Sequence, residues 1–427
     1  MPPSLRDWLP ADHLAWFVLD AVGELDLAEF FADYRADGHG RAAHDPRMMV
    51  ALVLYAYAVG ERSARLIERR LHEDVAYRVI AANQVPDHAT IARFRVRHEQ
   101  ALAGLFSSVL ALCARAGLVR AGVVALDGTK LQANASGQAN MTYEQIAKAI
   151  IEDAARVDAE EDERFGDRRG DELPAELADP VTRKQRLRAA KLELEAEWEA
   201  ERQAAEAHNA RCQEHAQARA EGRPKPGRPP VPRPLPEQPG GRVNVTDPDS
   251  RSVRTHRGFL QGYNAQAAAT EDQIIVAAEV VVGGTDQGLL EPMTARIAAE
   301  LEAAGIDQPI GTLLADAGYW NAKQIKALRD QGIDAFVTPD GRKRRRPPKQ
   351  PLARELRARL ETDGGRALYR KRAQTIEPVF GQTKTNRHAD RFQRRGQPAC
   401  QSEWRLITAT HNLLKLWRHG LTPAPAT

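Results

Sequence analysis

Cysteine, long apolar runs and aromatics are all scarce in this chain. Its 427 residues hold three cysteines, Cys113, Cys212 and Cys400, far apart and odd in number. They form neither a disulfide framework nor a CxxC zinc pattern, and a reducing cytoplasm fits. The longest apolar run, Met48 to Val59, falls short of the ~20 residues that cross a bilayer, so it predicts a buried helix and no membrane partner. The opening MPPSLRDWLP lacks the basic-then-apolar pattern of a secretory leader. No GxxxxGK[ST] loop occurs, so no nucleotide cofactor is expected. Aromatics make up only 6%, yet 42% hydrophobic residues suffice for a core. The length suggests two or three domains.

Charge is present but uneven. The net value is +3, while residues 152–206 carry 18 acidic against 10 basic residues and residues 341–427 carry 21 basic against 6 acidic. A strongly basic C-terminal part suggests a polyanion partner, or else a solvated surface with counter-ions.

The periodicity divides the chain. Residues 1–118 read as an all-helical domain for DNA binding or dimerisation, with helical spacing in MMVALVLYAYAVG and SARLIERRLHEDVAYRVIAA. Asp87 is placed to cap a helix carrying Arg93, Arg95 and Arg97. Those arginines fit phosphate contact in a helix-turn-helix manner, and equally an ordinary basic face. Residues 119–420 read as an α/β domain. AGVVALD (121–127) is a short buried strand, and 258–270 with 273–283 form a hairpin. A helix, the strand 312–316, a second helix and the strand 334–339 then alternate, as in a mixed sheet. Residues 141–240 are an insertion within this domain, helical and then proline-rich, with eight prolines from Pro224 to Pro239. Residues 421–427 read as a disordered tail.

Asp127 and Asp316 end two of these strands, at the sheet edge where ligands bind in open α/β folds. Each alone suits a turn or a cap. Two carboxylates in one crevice repel and raise each other's pKa, which a divalent cation relieves. Mg²⁺ takes hard oxygen ligands, and two such ions can drive phosphoryl transfer. Glu377, in TIEPVFGQTKTNRHADRF, is the candidate third ligand. Pro378 predicts a helix beginning near Thr375, with Glu377 at or before its first turn. Lys384 then lies two turns along the same face. The alternative for Glu377 is an exposed ion pair with Arg372.

DPRMMVALVLYAYAVGERSARLIERR, PDHATIARFR, DGTKLQANAS, GFLQGYNAQAA, LADAGYWN and RKRAQTIEPVFGQTK, in that order, resemble the DDE transposases of bacterial insertion sequences. The resemblance is to the branch with an InsH-like N-terminal helical domain. It implies an RNase H-like fold in which Asp127, Asp316 and Glu377 are catalytic and bind Mg²⁺ or Mn²⁺, two ions in all. It further implies a tyrosine, arginine, glutamate and lysine signature. Lys384 keeps its expected separation from Glu377, while Tyr369 and Arg372 lie one residue farther upstream than in the best-known version. The helical insertion follows the first aspartate rather than the second.

The implied function is metal-dependent cleavage at element ends and strand transfer into target DNA, with double-stranded DNA as partner and a homodimer on DNA. A cytoplasmic, nucleoid-associated protein is expected. Expected DNA contacts are Arg93, Arg95, Lys130, Arg344, Arg345, Tyr369, Arg372, Lys384, Arg387 and Arg391. Two other classes stay open: a structure-selective nuclease of RNase H-like fold, and a DNA-binding protein that has lost catalysis.

Overall fold

The computed structural model describes residues 5–32, 34, 43–150, 180–223, 229–255, 258–339 and 348–420. Arg344, Arg345 and the tail 421–427 lie outside the described residues. Residues 1–134 and 253–427 form one compact unit, and residues 135–252 form another.

The larger unit opens with helices α1 (Leu14–Gly23), α2 (Ala28–Ala32), α3 (Pro46–Ala58), α4 (Ala64–Glu73), α5 (Val75–Ile80), α6 (His88–Arg97) and α7 (Glu99–Arg115). The apolar run forms α3. Asp45 caps it by accepting from the Arg47 amide at 2.8 Å, Pro46 supplies a preset first turn, and nearly the whole helix is buried. Asp87 caps α6 as the sequence predicts, accepting from Thr90 N at 2.6 Å. Among the described residues no helix is long and apolar enough to cross a membrane.

The sheet follows: β1 (Val123–Gln132), β4 (Arg251–Thr255), β5 (Gly258–Thr270), β6 (Ile275–Val281), β7 (Thr312–Ala315) and β8 (Asp334–Val337). The order is β4-β5-β1-β7-β8, with β6 also on β5. β1, β5 and β6 pair antiparallel, while β7 and β8 continue from β1 in parallel. Helices α9 (Leu290–Ala303) and α10 (Ala322–Asp330) make the connections that parallel pairing requires. An antiparallel hairpin extended by two parallel strands is an RNase H-like core, as expected. Its small middle strand, with Ala265 and Ala267 to Ala269 fully buried, lets helices pack closely.

Helices α11 (Pro351–Glu361), α12 (Asp363–Gly381) and, after a π-turn at Gln382–Asn386, α13 (Gln397–Arg418) complete this unit. α13 packs on α3, α7 and β6, so the N-terminal helices share a core with the sheet. Trp404 donates to the Gln266 carbonyl at 2.8 Å, and Arg405 bonds Ala103 O and Glu300. Arg62, on the loop after α3, makes a buried ion pair with Glu403 at 2.9 Å.

Two expectations fail locally. β1 does not end at Asp127, because pairing with β5 carries it on to Gln132 opposite Gly262. Nor does a helix begin near Thr375. α12 starts at Asp363, capped by Thr362, and Pro378 sits inside it. A mid-helix proline strands the carbonyl four residues back. Here that carbonyl, Gln374 O, accepts from Gln273 Nε2 at 3.2 Å.

The smaller unit is built on α8 (Pro180–Ala220), with the two-stranded pair β2 (Asn140–Met141) and β3 (Val243–Asn244). Ile146, Leu187, Ala190, Leu194 and Val243 form its core. The proline-rich segment runs back along α8: Asn209 bonds both the N–H and the carbonyl of Arg233, and Trp198 donates to Pro236 O.

Candidate active site

Register brings the two aspartates together. β1 and β7 are parallel, with Val124 beside Leu313 and Ala125 beside Leu314. Continued by two residues, that register places Asp127 beside Asp316. β7 stops at Ala315 while β1 runs on, so the carboxylates stand where the two strands part. Asp316 caps the short turn Ala317–Tyr319 by accepting from Gly318 N at 2.8 Å.

Glu377 stands farther out. Its side chain is 60% exposed, and Arg372 lies between it and Asp127. Nη1 of Arg372 is 2.7 Å from Asp127 Oδ2, and Nη2 is 3.6 Å from Glu377 Oε1. The expected exposed ion pair is thus half of a bridge into the crevice. Among the described residues no three His, Cys, Asp or Glu side chains are already gathered as a metal-binding group. Tyr369, one turn before Arg372 on α12, reaches Ala315 O and Thr338 Oγ1, each at 3.4 Å, and stacks edge-on against Phe336. Lys384 lies in the π-turn and donates to Lys130 O on β1 at 2.9 Å. All four signature residues therefore sit along the open half of β1 and the ends of β7 and β8.

A further carboxylate, Asp286, is present that sequence reasoning missed. Its segment, TDQG, reads as the opening of an amphipathic helix that runs to Gly305, whereas α9 begins only at Leu290. Its Oδ1 accepts from Asn264 Nδ2 at 2.7 Å and Gln266 Nε2 at 2.8 Å, with Lys130 Nζ at 3.4 Å. Glycine at 128 makes this possible: a Cβ there would lie within 2.8 Å of Gln266, Asn264 and Asp286 side-chain atoms. Tyr319 donates to Gln266 Oε1. Its hydroxyl pKa is pushed up by burial first and then by the negative charge of Asp286, Asp127 and Asp316.

Burial pushes the Asp127 carboxyl up to about 6, opposed by Arg372 and reinforced by Asp316. One guanidinium therefore under-compensates the crevice. Hard carboxylate oxygens short of positive charge, beside a buried Asn264 Oδ1 with no hydrogen-bond partner among the described residues, fit a divalent cation. Burial also lowers the Lys384 pKa.

The expected DNA contacts divide by exposure. Arg93 and Arg391 are exposed, while Lys130, Tyr369, Arg372 and Lys384 are half-buried at the crevice. Arg95 and Arg387 are buried, and this corrects the expectation for them. Arg95 bonds Arg62 O and the Tyr57 hydroxyl, and Arg387 bonds Ile407 O, Thr410 and Thr383. Their guanidiniums hold the fold and have no surface to offer a phosphate.

Residues 3–97 match the family model described as Transposase domain (DUF772), and residues 334–417 match that described as Transposase DDE domain. The second match contains Tyr369, Arg372, Glu377 and Lys384, and the two aspartates lie before it. No curated protein and no solved structure matches the chain significantly. Transposase families matched at both ends, with an RNase H-like sheet built from the chain between and beyond, support a DDE transposase of the insertion-sequence type.

Proposed function

We propose that the protein cuts DNA at the ends of an insertion sequence and joins the freed ends to target DNA, with Asp127, Asp316 and Glu377 as its catalytic acids. The observation that carries this reading is the juxtaposition of Asp127 and Asp316 on neighbouring parallel strands, with Arg372 linking the first of them to Glu377. These three acids are the residues that would hold Mg²⁺ or Mn²⁺, two ions in all. When bound, the ions would activate a water or a 3′-hydroxyl and stabilise the leaving oxygen.

The chain's own residues do the rest. Arg372 keeps Asp127 and Glu377 within reach of one another and yields its place as positive charge arrives. Tyr369 and Arg372 on α12, with Lys130 and Lys384 beside β1, line the track for the scissile strand. Exposed Arg93 and Arg391, together with the basic stretch of sequence that includes Arg344 and Arg345, supply sequence-independent affinity through counter-ion release. The helices before residue 118 serve DNA binding or dimerisation, residues 119–420 catalysis, and the 141–240 insertion is an accessory. A homodimer on DNA, in a cytoplasmic protein associated with the nucleoid, follows from the need to bring two ends together.

The test is Asp127→Asn, Asp316→Asn and Glu377→Gln, each assayed separately for binding and cleavage of element-end DNA. Cleavage is lost in each, and binding is kept. Cleavage retained in one variant removes that residue from the set. Cutting without joined products would favour a structure-selective nuclease, and binding without cutting in the parent would favour a DNA-binding protein that has lost catalysis.

A further inference from the structure

We propose that Asp286 is a fourth acidic ligand of this site, lending its Oδ2 to the cation held by Asp316; the inference rests on the reading above. Asp286 sits in the loop between β6 and α9 and is fixed from several directions. Asn264, Gln266 and Lys130 all approach one oxygen, Oδ1. Two residues on, Gly288 O accepts from Gln324 of α10 at 2.9 Å, which ties the loop to the helix just after Asp316.

The second oxygen takes no share in those three bonds. It points at Gly318, where an ideal Cβ would lie 3.4 Å from Asp286 Oδ2 and 3.0 Å from Asp316 Oδ1. Two carboxylate oxygens thus face one point over a residue that has no side chain. Like charges so placed are stabilised by a shared cation, and hard oxygens select a divalent one. A separate observation points the same way. Asn264 is fully buried, and among the described residues its Oδ1 has no hydrogen-bond partner, although its Nδ2 is bonded to Asp286. That orphaned acceptor lies in the same cluster over Gly128, the neighbour of Asp127. Consecutive strand residues look to opposite faces, so Asp127 and Asp286 approach the open edge of β1 from different sides.

The full chain, freed of metal, is titrated with Mn²⁺ by calorimetry and by electron paramagnetic resonance. Asp286→Asn keeps an oxygen for the three donors and replaces Oδ2 with an amide. Gly318→Ala leaves the three bonds intact and puts a methyl between the two carboxylates. Both variants are expected to weaken Mn²⁺ binding about tenfold or more, the range seen when support around a metal is altered. Melting curves in EDTA should match the parent. If both variants bind Mn²⁺ like the parent while Asp127→Asn loses it, the fourth ligand is overturned and the three-acid site stands. If parent and Asp127→Asn bind Mn²⁺ alike, both readings fall.

Discussion

Arg372 grips Asp127 at 2.7 Å while its other terminal nitrogen rests 3.6 Å from Glu377. A guanidinium in that position does for the metal-free crevice what divalent cations would do for the loaded one. Arg372→Ala should therefore destabilise the metal-free protein by about 2–3 kcal/mol, somewhat below the cost of breaking a fully buried pair. Millimolar Mg²⁺ should return most of the loss. Melting curves with EDTA and with Mg²⁺ check both halves, and equal losses in the two buffers would separate Arg372 from the metal site.

The acidity of Asp127 gives a pH signature. Its carboxyl titrates at about 6 in the folded chain against an ordinary 3.8. A raised acid favours the folded state fully below about 3.8, and that contribution is lost as pH rises through about 6. Without metal, Asp127→Asn should be more stable than the parent at pH 7.5 by about 2–3 kcal/mol, at 1.36 kcal/mol for each pH unit. The two melting curves should converge near pH 4. A constant gap across that range would contradict the assignment.

Gly128 allows the polar cluster around Asp286 to close. Gly128→Ala forces a methyl onto amides locked by their own bonds, at a cost of about 1–3 kcal/mol. Cleavage should fall by at least about tenfold, since small misplacements at a reacting centre have large effects. Binding of end DNA should be unchanged.

Exposure sorts the arginines. Arg93→Ala should lower the slope of log affinity against log salt by about 1 and leave stability alone. Arg387→Ala should do the reverse, lowering the melting temperature with the salt slope intact. Parallel salt titrations and melts of the two variants decide this.

Glu403 pairs with Arg62 in the interior and also accepts from the Gln393 and Arg394 amides. Glu403→Ala leaves a buried guanidinium without its counter-charge and should cost about 3–5 kcal/mol. Chemical denaturation measures it.

What the sequence disclosed followed from local chemistry. Asp127 and Asp316 were legible because each follows a short apolar run, and α3 and α6 because a cap and a period announced them. What stayed hidden depended on distant partners. Pro378 argued for a helix start, yet a side chain about a hundred residues earlier, Gln273, takes up the carbonyl that the proline strands. Asp286 looked like part of an amphipathic helix because Asn264, Gln266 and Lys130, which hold it in a loop, lie elsewhere in the chain. Arg95 and Arg387 looked like phosphate contacts because composition reports charge and says nothing of depth.

The 41-residue α8 is about 60 Å long at 1.5 Å per residue, and a proline-rich strap is bound along it. Six prolines between residues 229 and 239 remove as many backbone donors, so a few side-chain bonds from the helix are enough to seat the strap. A segment so poor in donors cannot act as a template for another β-strand. The pair is therefore a stiff strut, with no adhesive edge along its strap, that fixes the distance between its two ends.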